Sequence, residues 1–249
     1  MCGFAGEIRT DGRPADATTV ATMTATMERR GPDGVGLHAQ GPVALGHRRL
    51  KVIDLSDRAA QPMVDAELGL TVVFNGCIYN YLQLRSELEA SGYRFFSTGD
   101  TEVLAKAYHA WGERFVDRLA GMFAFCLVER DSGRVVLGRD RLGIKPLYVT
   151  QSGGRLRFAS TLPALLAGGG VDTDIDPVAL HHYLTFHAVV PAPRTILAGV
   201  RKLEPATVMV IEPGGRHRST TYWTPECRRD PDRADWGEDD WRDAVLASL

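Results

Sequence analysis

Met1-Cys2-Gly3-Phe4-Ala5-Gly6 opens the chain, and every later segment is interpreted against it. Once Met1 is removed, Cys2 becomes the N-terminal residue and carries a thiol and a free α-amine together. The amine titrates at about 7.7–8.0 and a free thiol at about 8.5, so the amine can take the thiol proton near neutral pH. A nucleophile activated by its own N-terminal amine performs acyl transfer without a separate histidine. The alternative is an ordinary cysteine in a buried first strand.

The composition indicates an ordinary globular protein. Of 249 residues, 44% are hydrophobic and 24% are charged, and the formal net charge is −2. The sequence has no basic stripe of the kind that binds nucleic acid, and no apolar run reaches the length of a membrane span. We therefore expect neither a nucleic-acid partner nor a membrane. The start of the sequence lacks the features of a secretory signal. The cysteines form neither C-x-x-C pairs nor a cluster with zinc spacing, which predicts a cytoplasmic protein without a metal site; they are Cys2, Cys77, Cys126 and Cys227.

Hydrophobic periodicity predicts strands and hairpins interrupted by helices, without a repeating βαβ order. The predicted strands cover residues 2–9, 43–53 as one strand or a strand pair, 70–74, 121–137 as a hairpin, and 155–160. Residues 138–148 continue into another strand, and later strands are predicted at Thr195 and Val208. The predicted helices cover residues 16–30 with Asp16 as the cap, 100–111, 162–166 and 177–184, and a further helix has Leu84 and Leu88 on one face and stops at Gly92. This order predicts an α+β fold built as a layered sandwich. Residues 225–235 are polar and charged like a linker, and residues 241–249 begin a further helix.

Two adjacent arginines lie in the predicted strand 43–53. Side chains alternate between the faces of a strand, so one of Arg48 and Arg49 faces inward. An inward guanidinium group favours a carboxylate, which it binds through two parallel hydrogen bonds. His47 in the same strand is either a base for Cys2 or, more commonly, a satisfied strand residue.

Three further segments have a structural and a functional interpretation. Asn75-Gly76 is typical of a hairpin turn, but a helix pattern follows, so the Asn75 amide and the Gly76 N–H can converge on an oxyanion. Asp100 opens a helix, where it either caps the N-terminus or holds a substrate ammonium group. The turn at residues 30–34 either ends a helix or borders the site.

Seven collinear segments resemble class II glutamine amidotransferases, and closely the N-terminal glutaminase half of glutamine-dependent asparagine synthetases. They span residues 1 to about 224 and are Met1-Cys2-Gly3, Arg30-Gly31-Pro32-Asp33, His47-Arg48-Arg49-Leu50, Phe74-Asn75-Gly76-Cys77-Ile78-Tyr79-Asn80, Thr98-Gly99-Asp100-Thr101-Glu102, Gly121-Met122-Phe123-Ala124-Phe125 and Gly138-Arg139-Asp140-Arg141-Leu142-Gly143. The resemblance implies an N-terminal-nucleophile hydrolase fold. That fold is a four-layer αββα sandwich in which two antiparallel sheets pack between helical layers.

The resemblance also implies a reaction, the hydrolysis of L-glutamine to glutamate and ammonia through a thioester on Cys2. Asn75 and Gly76 would stabilise the tetrahedral oxyanion. Arg49 would hold the substrate α-carboxylate and Asp100 its α-ammonium group. These roles match the residue types that the chain already places at these positions.

Two further parts of the substrate site come from the same resemblance. The backbone of Val52 and Ile53 matches the strand that lies along bound glutamine. Cys77 stands where the family usually has the glutamate of Asn-Gly-Glu-Ile-Tyr-Asn, a residue that helps to recognise the amino group. We therefore expect either that Asp100 holds the ammonium group alone or that glutamine binds more weakly.

The resemblance predicts a domain division. Residues 2–224 form the glutaminase domain, and residues 225–249 form a linker and the start of a truncated synthetase domain. The ATP-pyrophosphatase motif Ser-Gly-Gly-x-Asp-Ser does not occur, since Ser152-Gly153-Gly154-Arg155 lacks the aspartate. We expect no cofactor in this chain, with ATP and Mg²⁺ confined to the missing C-terminal domain, its partner. The sequence is then a fragment or a truncated reading frame, and an uncovered apolar face would favour association, for example as a homodimer.

Three functions remain open. The first is the glutaminase of an asparagine synthetase, active in asparagine biosynthesis. The second is an amidotransferase for another acceptor such as N-acetylglutaminylglutamine, which Cys77, Gly6-Glu7-Ile8-Arg9 and residues 107–113 favour. The third is a non-catalytic docking module, against which the intact set of predicted site residues argues.

Overall fold

The structure is a computed structural model, and it describes residues 1–226 and 230–247. Within these residues, twelve strands form two six-stranded sheets, and six α-helices accompany them. The strands are β1 Gly3–Arg9, β2 Gly34–Gln40, β3 Val43–Arg49, β4 Met63–Asp65, β5 Leu70–Ile78, β6 Gly121–Glu129, β7 Val135–Arg139, β8 Tyr148–Ser152, β9 Arg155–Ala159, β10 Arg201–Lys202, β11 Thr207–Ile211 and β12 His217–Thr221. The helices are α1 Ala17–Ala25, α2 Tyr81–Ala90, α3 Asp100–Trp111, α4 Leu162–Ala167, α5 Pro177–Thr185 and α6 Glu238–Ala247.

The two sheets are antiparallel throughout their paired strands. The first has the order β10-β8-β9-β1-β3-β2, and the second has the order β12-β11-β7-β6-β5-β4. Strand β1 lies between β9 and β3, so the segment that follows Cys2 runs through the centre of the first sheet. Strand β5 pairs with β6 over nine residues and packs against β1 and β3 of the other sheet.

Three apolar clusters separate the layers. One lies between the two sheets and contains Phe4 and Phe158 of the first sheet with Val73 and Cys126 of the second. Another lies between the second sheet and α2 and α3, and a third lies between the first sheet and α1 and α4. Side chains of a strand alternate between faces, so each sheet can contribute to two clusters. The predicted four-layer αββα sandwich is therefore confirmed.

Most predicted elements are present, including the hairpin of β6 and β7 and the Asp16 cap of α1, where its carboxylate accepts the Thr19 N–H at 3.0 Å. The helix predicted over residues 16–30 is shorter, because α1 ends at Ala25 and a separate 3₁₀ turn covers Glu28–Arg30. The hydroxyl of Thr26 donates to the Met23 carbonyl at 2.7 Å and satisfies it outside the helical ladder.

Three strand predictions need correction. The strand predicted over residues 43–53 ends at Arg49, since the next N–H, that of Leu50, donates to the Cys2 sulfur rather than to a strand. Strand β5 continues past the predicted end at Phe74 to Ile78, because β6 pairs with it to that point. No strand forms at Thr195, whose hydroxyl instead donates to backbone carbonyls at positions 197 and 200 and closes a turn.

The segment after β12 is described only in part. Helix α6 begins three residues before the predicted start at Trp241, and the predicted positions 248 and 249 lie outside the described residues. Cys227 and part of the predicted linker 225–235 also lie outside them. Among the helices that the structure does describe, none has the length and apolar character to cross a membrane.

Candidate active site

All of the predicted site residues line one cavity of about 160 Å³, at the end of β5 and beside the start of β1. They are Cys2, Arg49, Val52, Ile53, Asn75, Gly76, Cys77 and Asp100. They come from four separate parts of the chain, so the fold achieves a convergence that spacing alone does not specify. The cavity is a concave site that combines apolar walls with a few polar groups, as small-molecule sites do.

Cys2 lies half-buried just before β1, and its sulfur faces the residue that follows β3. The Leu50 N–H donates to Sγ at 3.3 Å, and Sγ lies 3.6 Å from the Leu50 carbonyl, to which the thiol donates. Burial raises the pKa of the thiol, and the Leu50 hydrogen bond only partly offsets this effect. The thiol is therefore held in place but neutral, and it needs a base before it can attack.

The outer edge of β5 presents a row of backbone donors to the cavity. The Phe74 N–H donates to Gln61 Oε1 at 2.6 Å and the Ile78 N–H donates to Asp100 Oδ2 at 3.1 Å. Because backbone N–H groups alternate sides along an antiparallel strand, the Gly76 N–H lies on the same edge, between these two. The Asn75 side chain is 1% exposed, and its buried Nδ2 has no hydrogen-bond partner among the described residues. Both residues line the cavity, and each has a donor for which the described residues give no partner on this side.

Gly76 is required by close packing and not by a turn. A Cβ atom at this position would lie 2.3 Å from the Met122 carbonyl oxygen and 2.8 Å from the Phe123 Cα. Real Cβ atoms do not approach backbone so closely, so β6 would have to move away from β5. The Asn-Gly pair is thus part of a strand, and its glycine allows the strand pairing that places Asn75.

Asp100 is a buried carboxylate without a cation. It is 6% exposed and is the first residue of α3, while Gly99 occupies the N-cap position, so the capping interpretation of Asp100 is wrong. Burial raises the pKa of Asp100 to about 6, against hydrogen bonds that favour the charged form. Among the described residues none forms an ion pair with it. A desolvated carboxylate of this kind is stabilised by an ammonium group that enters the cavity.

Arg49 is the inward-facing arginine of the pair. Its guanidinium group donates to the backbone carbonyls of Ser56, at 2.7 Å, and of Asp54. These bonds fold the segment after β3 around the guanidinium group, so Val52 and Ile53 lie in a bend at the cavity wall and not in the strand that was predicted. Their backbone still borders the space where a substrate would lie.

Cys77 is half-buried in the cavity, one residue beyond Gly76 on β5. Burial raises the pKa of its thiol, the nearby Asp100 adds to this effect, and Lys145 opposes it. A neutral thiol therefore occupies the position where the family pattern has a carboxylate. Asp54, the other acidic residue in the cavity wall, is bound by the hydroxyls of Ser56 and Thr98, which leaves Asp100 as the unpaired acid.

The other sequence candidates lie beside the cavity. His47 is fully buried, its Nε2 lies 3.0 Å from the Phe74 carbonyl, and burial lowers its pKa to about 4. It is a neutral link between the sheets and not the base of a dyad. Arg30 supports the site, because its Nε donates to the Cys2 carbonyl at 3.0 Å. Asp33 accepts the Lys51 N–H at 2.9 Å and does not reach the cavity.

Sequence reasoning missed three groups in the cavity wall. The backbone of Leu50 holds the thiol, the Gln61 amide joins β5 to Thr101 of α3, and the Lys145 side chain is buried in the wall. A backbone group leaves no sequence signal, and the polar stretch around Gln61 is typical of an ordinary loop. Lys145 lies two residues beyond the matched segment that ends at Gly143, so no motif drew attention to it.

The chain is similar to known proteins over nearly its whole length. The model of the glutamine amidotransferase domain family matches residues 1–223. Asparagine synthetase [glutamine-hydrolyzing] 1 of Bacillus subtilis is 36% identical over 252 aligned positions, which cover 100% of this chain and 39% of that protein. Asparagine synthetase [glutamine-hydrolyzing] 3 of the same organism is 32% identical, and the alignment covers 94% of this chain and 38% of that protein. The chain thus spans about two fifths of the length of these relatives.

A solved structure supports the fold. Glutamine phosphoribosylpyrophosphate amidotransferase from B. subtilis has a TM-score of 0.67 at 20% identity, with 90% of this chain and 50% of that chain covered. Identity this low supports the architecture alone. With a family model that matches nearly the whole length, the chain belongs to the glutamine amidotransferase domain family.

Proposed function

We propose that this chain is the glutaminase part of an asparagine-synthetase-type enzyme and hydrolyses L-glutamine to glutamate and ammonia. One observation carries the proposal. One cavity contains the half-buried thiol of Cys2, the proposed oxyanion donors of Asn75 and Gly76, the buried unpaired carboxylate of Asp100, and Arg49. The family and the relatives' names support glutamine as the substrate.

Substrate binding uses the two charges at the far side of the cavity. The α-carboxylate of glutamine pairs with Arg49, whose guanidinium group has donors beyond those bound to the backbone carbonyls. The α-ammonium group pairs with Asp100 and supplies the cation that this carboxylate lacks. The side-chain amide then extends toward Cys2, with the carbonyl oxygen at Asn75 and Gly76.

The chemistry follows from removal of Met1. The freed α-amine of Cys2 takes the thiol proton, and Sγ attacks the amide carbon while Asn75 Nδ2 and the Gly76 N–H stabilise the oxyanion. The C–N bond of the substrate amide then breaks. The protonated α-amine of Cys2 gives its proton to the leaving nitrogen, which departs as ammonia. Water attacks the resulting thioester, the amine again accepts a proton, and glutamate leaves as the thiol is restored.

The ammonia acceptor belongs to the part of the relatives that this chain does not span. We propose an ATP-pyrophosphatase domain that follows residues 225–249, binds ATP and Mg²⁺, and uses the ammonia to amidate aspartate. Exposed apolar side chains on and after α5, Leu184 and Phe186 among them, support docking of that domain, or a homodimer where it is missing. Unpaired thiols at Cys2, Cys77 and Cys126 support a cytoplasmic location.

Covalent labelling with a diazo-ketone analogue of glutamine tests the reaction. Intact mass is measured before and after labelling, and glutamate release is measured in parallel. We expect loss of Met1 and one adduct, absent in Cys2→Ala and retained in Cys77→Ala, the matched thiol in the same cavity. Protein that has lost Met1 but gains no adduct and releases no glutamate would contradict the proposal and favour a non-catalytic docking module.

A further inference from the structure

Lys145 is a buried cation in the cavity wall that the reaction above does not use. Its side chain is 3% exposed, and its Nζ donates to the Met1 sulfur at 3.0 Å. Lys51 and Lys106 pair with carboxylates, whereas Lys145 forms no ion pair with any residue that the structure describes. Burying an unpaired ammonium group costs free energy, so its position calls for an explanation beyond packing.

The loop that carries Lys145 is fixed by Asp140. This carboxylate accepts backbone N–H groups from Phe123 at 3.1 Å, Ile144 at 2.9 Å and Lys145 itself at 2.9 Å. Arg139 adds a bond from its Nε to the Lys145 carbonyl at 2.7 Å. The backbone is therefore held at several points, and the side chain enters the cavity from a rigid base.

Met1 links Lys145 to the reacting end of the chain. Its sulfur is five covalent bonds from the Cys2 nitrogen, a span of at most about 7 Å at about 1.5 Å per bond. The Lys145 ammonium group therefore lies within roughly 10 Å of the nitrogen that becomes the α-amine when Met1 is removed. Removal of Met1 also removes the sulfur that Nζ contacts, while the ammonium group still interacts with the Cys2 thiol through its charge.

Other charged groups near Cys2 do not cancel this cation. Arg30 is bound to the Cys2 carbonyl, and Arg49 to the carbonyls of the bend. The remaining titratable groups that interact with Cys2 or Lys145 are Asp100, Asp140 and Cys77, while Tyr148 interacts with Arg30. The two carboxylates oppose the cations, since Asp100 raises the pKa of Cys2 and Asp140 raises that of Lys145. Three cations, Arg30, Arg49 and Lys145, interact with Cys2 against these two carboxylates, so the cations are in excess.

We propose that Lys145 acts on Cys2 through its charge. Its ammonium group keeps the α-amine of processed Cys2 unprotonated and favours the thiolate form of the Cys2 side chain. The contribution of Lys145 to glutamine hydrolysis rests on the proposed function. A neighbouring cation disfavours a second positive charge on the amine and favours a negative charge on the sulfur. Burial and Arg30 lower the pKa of Lys145, while Asp140, Cys2 and Cys77 oppose this shift and favour the charged form.

The test is the pH dependence of alkylation of Cys2, which requires no glutaminase activity. Processed protein in a Cys77→Ala background is treated with iodoacetamide from pH 5 to 10, and peptide masses give the rate at Cys2. We expect Lys145→Met to raise the midpoint of this profile by about one pH unit, because a unit charge at this range acts with that strength. Lys145→Arg keeps the charge and should restore the original midpoint.

Lys202→Met is the control, because this lysine is half-buried, donates to the Val190 carbonyl and lines a different cavity. Its profile should coincide with that of the parent protein. Coincident profiles for the parent and Lys145→Met would overturn the inference, even if Lys145→Met lowers the melting temperature. A shifted midpoint in a protein that releases no glutamate would support the role of Lys145 and contradict the proposed glutaminase instead.

Discussion

The carboxylate of Asp100 accepts the backbone N–H of Ile78 at 3.1 Å, and this bond joins the start of α3 to the end of β5. The residue proposed to hold the substrate is thus fixed to the strand that carries Asn75 and Gly76. Its pKa near 6 has two measurable consequences, one for binding and one for stability.

Glutamine binding should weaken as the pH falls through about 6. Asp100 holds the substrate ammonium group only when it is ionised, so protonation competes with binding. Affinity measured by calorimetry with the inactive Cys2→Ala variant should fall about tenfold per pH unit below that value. Asp100→Asn should bind weakly at every pH. An affinity unchanged between pH 7.5 and pH 5 would show that another group holds the ammonium.

Asp100→Asn should also stabilise the protein at pH 8. The folded-state pKa of Asp100 lies above its unfolded value of about 3.9, so the ionised group costs stability above about pH 6, and the cost disappears as the pH falls toward 4. Asparagine keeps an acceptor for Ile78 without the buried charge. Urea unfolding should show a gain of order 1–3 kcal/mol at pH 8 that vanishes near pH 4. A loss of stability at pH 8 would mean that the helix dipole and hydrogen bonds outweigh desolvation.

Asn75→Ala should lower kcat about 10²- to 10³-fold while KM changes little. The Asn75 Nδ2 donor has no partner in the free protein, so its bond forms as the oxyanion develops. Steady-state glutamate release gives both constants. Asn75→Asp keeps the shape of the side chain but loses the donor, so a near-normal kcat in that variant would remove Asn75 from the oxyanion site.

The layered fold and the residues that line the cavity could both be predicted from the sequence, but for different reasons. Alternation and helical spacing identify β1, α3 and the β6–β7 hairpin, because each buries one face against the core. The convergence of Cys2, Asn75 and Asp100 in one cavity came from resemblance and not from spacing, since these residues lie far apart in sequence.

What the sequence did not predict depends on contacts between distant backbone groups. The end of β3 at Arg49 results from the Leu50 N–H turning to the Cys2 sulfur, and the length of β5 results from pairing with β6. Asn-Gly is typical of a turn, and only the close approach of the Met122 carbonyl explains the glycine as part of a strand. Lys145 was missed because its significance depends on the cavity that it enters.

Cys77→Glu should lower KM for glutamine about three- to tenfold with kcat nearly unchanged. The carboxylate would provide a second partner for the substrate ammonium group beside Asp100, and Lys145 would moderate the repulsion between the two acids. An added charge interaction at a partly exposed site contributes roughly 1 kcal/mol, which corresponds to about fivefold. Cys77→Gln is the neutral control of the same size and should leave KM unchanged. An equal effect of both substitutions would indicate packing rather than charge.

Gly76→Ala should destabilise the protein by about 2–4 kcal/mol and abolish glutamate release, because the added methyl group meets backbone rather than a flexible side chain. The Met122 carbonyl lies 2.3 Å from the Cβ position, so β5 and β6 must separate at the point where Asn75 and the Gly76 N–H are held. Gly34→Ala is the matched strand control, since its Cβ would lie 3.7 Å from the Arg49 Cβ, an ordinary contact. Denaturant unfolding and glutamate release are measured for both. Equal stability of the two variants would contradict the prediction and mean that the strand pair adapts at Gly76, where alanine keeps the backbone N–H.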